Sequence, residues 1–218
     1  MSQGSRSSAG LSDDPFENVT AWFQANQKPI LVAVGVVAIS AAAIFGYRWM
    51  DSGKRNDAST ALYRAILPLQ QGKAAEAQVE LERVVQRFSG TPSGSQAVML
   101  LGQAYFDQQK YPEGIAMLEK AKGSAGSAFA ASIEALIAVG YESQGKFELA
   151  AEHFAKAANA SKFPIDKAAN QANQARNFTA AGRSADARKL WEELAKNEDL
   201  PFAQEAQVRL GELAGLGK

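Results

Sequence analysis

Residues 101–118 read Leu-Gly-Gln-Ala-Tyr-Phe-Asp-Gln-Gln-Lys-Tyr-Pro-Glu-Gly-Ile-Ala-Met-Leu, and the same outline returns along the chain. With Gln109 as a turn, Leu101, Gly102 and Tyr105 stand eight, seven and four residues before it, and Gly114 and Leu118 five and nine after it. Ile137, Ala138, Tyr141, Ala150 and Phe154 hold those places around Gly145. Phe178, Ala187 and Trp191 hold three of them around Gly182, and Ala77 and Leu81 two of them around Gly72. Twelve residues after each turn come Val84, Ala121, Ala157 and Leu194. The turn points are 37, 36 and 37 residues apart. Small residues at fixed points let two helices approach, and large ones fill the gaps between successive helix pairs. The spacing predicts an all-α solenoid of about four helical hairpins over residues 57–200. A capping helix from about Phe202 to Leu213 covers its last apolar face.

The pattern resembles the tetratricopeptide repeat. Leu101-Gly102-x-x-Tyr105 and Ala150-x-x-x-Phe154 match its motifs, and Pro92, Pro164 and Pro201 fall in the connections between hairpins. The period is longer than the family's, which implies longer loops between repeats, such as residues 122–127. The first copy has Pro68 where the tyrosine belongs, so its first helix is expected to end or bend early.

Ahead of the repeats, Pro29–Tyr47 is a run of 19 residues without a charge. At about 1.5 Å per helical residue it covers roughly 28 Å, close to the hydrocarbon thickness of a bilayer. Lys28 precedes it and Arg48-Trp49 closes it, the residue types that favour membrane interfaces. The run exceeds a signal-peptide core, and 28 partly acidic residues precede it, so it reads as a single transmembrane helix over 29–50. Ala38, Ala42 and Gly46 recur every fourth residue, a stripe of candidate helix-packing positions. Residues 1–13 are Ser/Gly-rich and read as a disordered tail. Asp14-Pro15 starts a juxtamembrane amphipathic helix over 14–28, with Phe16, Val19, Trp22 and Phe23 at helical spacing. The flanking charges (Lys28 before, Arg48, Lys54 and Arg55 after) place the repeats in the cytoplasm by the positive-inside rule.

Lys plus Arg and Asp plus Glu number 23 each, and beyond Arg55 they number 18 and 19. This balance disfavours nucleic acid as a partner. There is no cysteine, which removes disulfides, thiol catalysis and zinc fingers. His153 is the lone histidine and reads as a hairpin-surface residue, so no paired-histidine metal motif exists. Gly215-Leu-Gly-Lys218 lacks the strand and the Ser/Thr of a phosphate loop. Glu192-Glu193 and Glu198-Asp199 read as solvated helix-end charges. No catalytic residue, metal site, cofactor or small-molecule substrate is expected.

The tetratricopeptide resemblance implies partner-facing positions on the first helix of each hairpin. In the second copy these are Gln96, Met99, Gln103, Phe106 and Asp107; in the third, Ser132, Ala135, Val139, Glu142 and Ser143. In the fourth they are Ala169, Ala172, Arg176, Thr179 and Ala180. Gln96, Met99, Gln103, Phe106 and Arg176 are the candidate partner-binding residues. Only Arg176 and Asn173 resemble the basic set that grips chaperone carboxylates, so a carboxylate clamp is not expected. A tail with Trp22-Phe23 and Lys28, a span leaving through Tyr47-Arg48-Trp49, and repeats directly after it resemble the ancillary subunit family of the bacterial Sec translocon. That resemblance implies a single-pass inner-membrane protein with a cytosolic N-terminus. Its repeat domain would lie in the periplasm and link the translocon to chaperones. The alternatives are an accessory subunit or assembly factor of another membrane complex, or a cytosol-facing adaptor.

Overall fold

The structure, a computed structural model, describes the backbone of residues 27–197 and 199–215 and the side chains from residue 36 onward, residue 198 excepted. The expected tail 1–13 and the amphipathic stretch up to residue 26 lie outside the described residues. So do residue 198 and residues 216–218 of the C-terminal glycine motif. Among the described residues there are nine helices and no strand. They are α1 Gln27–Gln70, α2 Ala74–Arg87, α3 Pro92–Asp107, α4 Tyr111–Ala125, α5 Ala130–Glu142, α6 Phe147–Ala160, α7 Pro164–Ala180, α8 Ser184–Ala195 and α9 Ala203–Gly215. The chain divides into two compact units, residues 1–52 and 53–218.

In the first unit, residues 27–52 are helical. Every large apolar side chain described from Val36 to Met50 is exposed, among them Ile39, Ile44, Phe45 and Trp49. Ala38 and Ala42 are exposed, and a Cβ added at Gly46 would meet nothing within 4 Å. Among the described residues no helix is long and apolar enough to cross a membrane. The expected span is only partly within that set, because the side chains of residues 29–35 fall outside it.

The second unit pairs α3 with α4, α5 with α6 and α7 with α8, and α9 packs on α8; Ala58 and Ala65 of α1 share a buried cluster with Leu81 and Val84 of α2 and with Ala97 and Leu101 of α3. Each pair turns at the residue marked by the repeat. Gly72, Gln109, Gly145 and Gly182 have φ of 73°, 61°, 69° and 76°. Each donates its N–H to the carbonyl three residues back: Leu69, Phe106, Glu142 and Thr179, at 2.8–3.1 Å. The next residue (Lys73, Lys110, Lys146 or Arg183) donates to the carbonyl five back, on Pro68, Tyr105, Tyr141 or Phe178, at 2.8–3.0 Å. These two bonds form the left-handed helix ending that glycine suits best. That basic residue then opens the second helix with ψ of 57–63°. Glu76, Glu113, Glu148 and Asp186 follow in the first turn, beside the positive end of the helix dipole. The 36- to 37-residue period is thus a backbone repeat as well as a sequence one.

Two expectations need correction. Pro68 does not end its helix early: α1 runs to Gln70 with Pro68 inside it. The N–H that proline lacks is missing only near the helix end, and its carbonyl accepts from Gln71 and Lys73 at 3.0 and 2.9 Å. Residues 122–125 are not loop. Helix α4 continues to Ala125 despite Gly123, and the chain turns at Gly126, φ 75°.

The large and small positions interlock as spaced. A Cβ on Gly102 would lie 2.9 Å from Leu118 Cδ2, so these helices touch through a glycine. Phe106 is wedged between Gly114 on its own hairpin and Gly140 on the next: a Cβ at either would come within 2.6 Å of its ring. The core runs in three clusters. Those centred on Leu81 and Leu101 and on Leu118, Ile133 and Ile137 share Val85, Tyr105 and Met117. The third, around Trp191, is built largely of alanines, from Ala168, Ala172 and Ala175 to Ala187 and Ala206.

Candidate partner-binding groove

The first helices of the hairpins line an open groove of about 790 Å³. Counted back from each turn residue, its walls fall at repeated places. Ten back stand Leu62, Met99 and Ala135; nine back, Leu100, Leu136 and Asn173; six back, Ile66, Gln103 and Val139. Gln96 and Ser132 stand thirteen back, and Phe154 of α6 supplies the floor. No lining side chain carries a charge. Leu100 and Val139 are each 37% exposed, so the apolar wall is open to solvent. Gln103 Nε2 donates to Asp107 Oδ1 at 2.8 Å.

Of the five candidate residues, Gln96, Met99 and Gln103 line this groove. Phe106 does not: it is 5% exposed, in the core with Ile115 and Tyr111. Its ring needs the gap left by Gly140, which turns it toward the next hairpin. Arg176 lies beyond the groove, in a smaller crevice with Thr179, Ala180, Trp191 and Arg209. Its Nε and Nη2 donate to Glu205 of α9 at 2.9 and 2.5 Å, and its Nη1 to Asn173 Oδ1 at 2.6 Å. The Arg176 guanidinium holds the Glu205 carboxyl below its ordinary value, against the opposing pull of burial. Leu62, Ile66, Leu100, Leu136, Phe154 and Asn173 were not expected in the groove. Leu62 and Ile66 stand ten and six before Gly72, so the register that finds Met99 and Gln103 also finds them.

His153 is another correction. It is 6% exposed rather than on the surface. Its Nδ1 meets Glu134 Oε2 at 2.7 Å, its Nε2 lies 3.9 Å from Glu119, and its ring stacks on Tyr141. Lys122 Nζ completes the cluster, 2.8 Å from Glu134 and 2.7 Å from Glu119. Burial pushes the Glu134 carboxyl up, but hydrogen bonds and charge from Lys122 and His153 outweigh it and hold the group below its ordinary value. The cluster joins α4, α5 and α6. Among the described residues no group of side chains could hold a metal ion.

The model of the tetratricopeptide repeat-like domain family matches residues 20–214. No curated protein matches the chain. Among solved structures, it is similar to the nearly identical tetratricopeptide-like repeats of a putative kinesin light chain from Podosopora anserina. The identity is 21% and the TM-score 0.54, over 71% of this chain and 84% of that one. A single-substitution variant of the same repeats gives 22% and 0.56, with the same coverage. At such identities the likeness is one of fold.

Proposed function

The chain belongs to the tetratricopeptide repeat-like domain family, and we propose that it is a protein-interaction module whose groove takes an apolar segment of a partner. The uncharged groove wall from Leu62 to Val139 carries this reading. An apolar segment gains about 25 cal/mol for each Å² it removes from water there. A highly charged segment would lose hydration with no ion to pair with. Replacing Val139 by Asp puts a charge on an exposed wall position. It is expected to abolish partner capture while leaving the helical circular-dichroism signal intact. Unchanged capture would refute the assignment.

The finer reading is a membrane-tethered accessory of the bacterial Sec translocon. Its N-terminus would be cytosolic, its helix 29–50 would span the inner membrane, and its repeats would act in the periplasm beside chaperones. What supports the tether is the row of exposed apolar side chains from Val36 to Met50, which no part of the described chain covers and which a bilayer would solvate. The Ala38/Ala42/Gly46 face is open to a neighbouring helix. Alkaline extraction tests the tether: release with the soluble fraction would sink it. Lys54-Arg55 should be cleaved by protease in spheroplasts. Protection until the inner membrane is broken would instead support the cytosol-facing adaptor that Arg48, Lys54 and Arg55 favour. Photocrosslinking from Met99 or Gln103 should recover a translocon subunit or a periplasmic chaperone. Recovery of one other fixed complex would support an accessory subunit or assembly factor of that complex.

A further inference from the structure

The groove is not the same at its two ends. Three successive first helices present mainly leucines, an isoleucine, a methionine and a valine, with Gln96 and Gln103 on α3 and Ser132 on α5 beside them. The fourth, α7, presents Asn173 and, beyond it, Arg176. At nine before the turn the chain runs Tyr63, Leu100, Leu136, Asn173, and at six before it runs Ile66, Gln103, Val139, Arg176. The polar end is therefore a departure of the last hairpin from its own repeat.

The Asn173 amide is oriented. A guanidinium can only donate, so the Asn173 atom 2.6 Å from Arg176 Nη1 must be the acceptor, Oδ1. The Nδ2 donor has no partner among the described residues, and the residue lines the groove. Arg176 is fixed in turn by its two bonds to Glu205. Together these bonds engage three of its five N–H groups, leaving one each on Nη1 and Nη2. The α7 end of a mainly apolar groove thus offers a held hydrogen-bond donor, Asn173 Nδ2.

We propose that the occupant is an α-helix with one apolar face, bound in a fixed direction with its C-terminal end at α7. This rests on the groove being the binding site. An extended chain carries an N–H and a carbonyl at every residue. Against Leu62, Ile66, Met99, Leu100, Leu136 and Val139, most of those facing the wall would stay unpaired, and each buried unpaired group is costly. A helix satisfies its own amides except at its ends. Its last four carbonyls need donors and carry the negative end of its dipole. Asn173 Nδ2, in the groove lining, is a donor of that kind, and Arg176, ion-paired with Glu205, holds it in place from the adjoining crevice. At roughly 9 Å between neighbouring helices, the three steps from α1 to α7 make about 27 Å, the length of about 18 helical residues.

The test uses the full-length chain and an 18-residue amidated, Leu/Ala-faced helical peptide spin-labelled at one end or the other. The chain has no cysteine, so single labels enter at Ser59→Cys on α1 or Lys167→Cys on α7, both exposed. Electron–electron distances should place the peptide's C-terminal label near residue 167 and its N-terminal label near residue 59. Asn173→Leu should weaken binding about threefold to tenfold and mix the two orientations. A reversed or mixed orientation on the unsubstituted chain, or an N173L variant that binds unchanged, overturns the directional inference but leaves the groove assignment standing. Failure of every such peptide to bind overturns both.

Discussion

Gly140 and Gly123 are both helical glycines, and replacing each by alanine should move stability in opposite directions. Alanine in a helix interior is favoured over glycine by about 0.5–1 kcal/mol. At Gly123 that gain is free of conflict, because the added Cβ meets nothing within 4 Å. At Gly140 the same Cβ would lie 2.6 Å from Phe106 Cζ and 2.9 Å from Ile115 Cγ1. The Phe106 ring cannot retreat, because a Cβ built on Gly114 on its other side would also lie 2.6 Å from it. Overpacking of this kind costs about 1–3 kcal/mol, so against the helix gain the net for Gly140→Ala is a loss of up to about 2.5 kcal/mol. At about 2–4 °C per kcal/mol for a domain of this size, Gly140→Ala should melt several degrees lower and Gly123→Ala a few degrees higher. Urea unfolding followed by circular dichroism measures both. Phe106→Leu should cost less in the Gly140→Ala background than in the original chain, by more than about 0.5 kcal/mol. If Gly140→Ala is stabilised like Gly123→Ala, or the two substitutions are additive, Phe106 is not the wedge between hairpins that the packing implies.

Three further outcomes follow. Gln109→Gly should stabilise the fold by up to about 1 kcal/mol, since Gln109 alone among the four turn residues carries a side chain at φ 61°; Gly145→Ala, at φ 69°, should lose about as much, and equal unfolding midpoints would refute the strain. The Glu134 carboxyl is held below its ordinary value of 4.5, so its contribution is present above that pH and is lost as pH falls through the lowered folded value. Glu134→Gln should flatten the acid limb of a stability–pH curve, and an unchanged limb would remove the cluster from the acid response. Arg176→Met should change global stability by less than about 1 kcal/mol, because both partners are part-exposed (38% and 28% for Arg176 and Glu205). Hydrogen exchange should nevertheless quicken in α9, and unchanged exchange there would show that this pair does not hold the cap.

The hairpins were legible in the sequence because each rests on local chemistry: a turn residue, a small residue five later and a large one nine later. The four turns, the pairing and the closing helix stand where that spacing put them. What escaped depends on the next hairpin rather than on the residue's own. Phe106 sits at a partner-facing place in the repeat but turns inward, because Gly140, 34 residues on, leaves room for its ring. His153 reads as a surface residue until Glu134 and Glu119, from two other helices, close around it. Leu62 and Ile66 were legible by register. Pro68, in the last turn of α1, is tolerated there and leaves both residues on the helix.

The four corners of the stack share one backbone shape, and each is closed by bonds inside its own hairpin. Length is therefore adjustable in whole steps: a period inserted between two corners brings its own closure and leaves the others as they were. The groove would grow by one apolar rung with each step. Its Asn173 terminus, carried by the final hairpin, would stay at the end, so such a stack behaves as a ruler whose zero mark is fixed at α7 while its span is set by how many hairpins precede it.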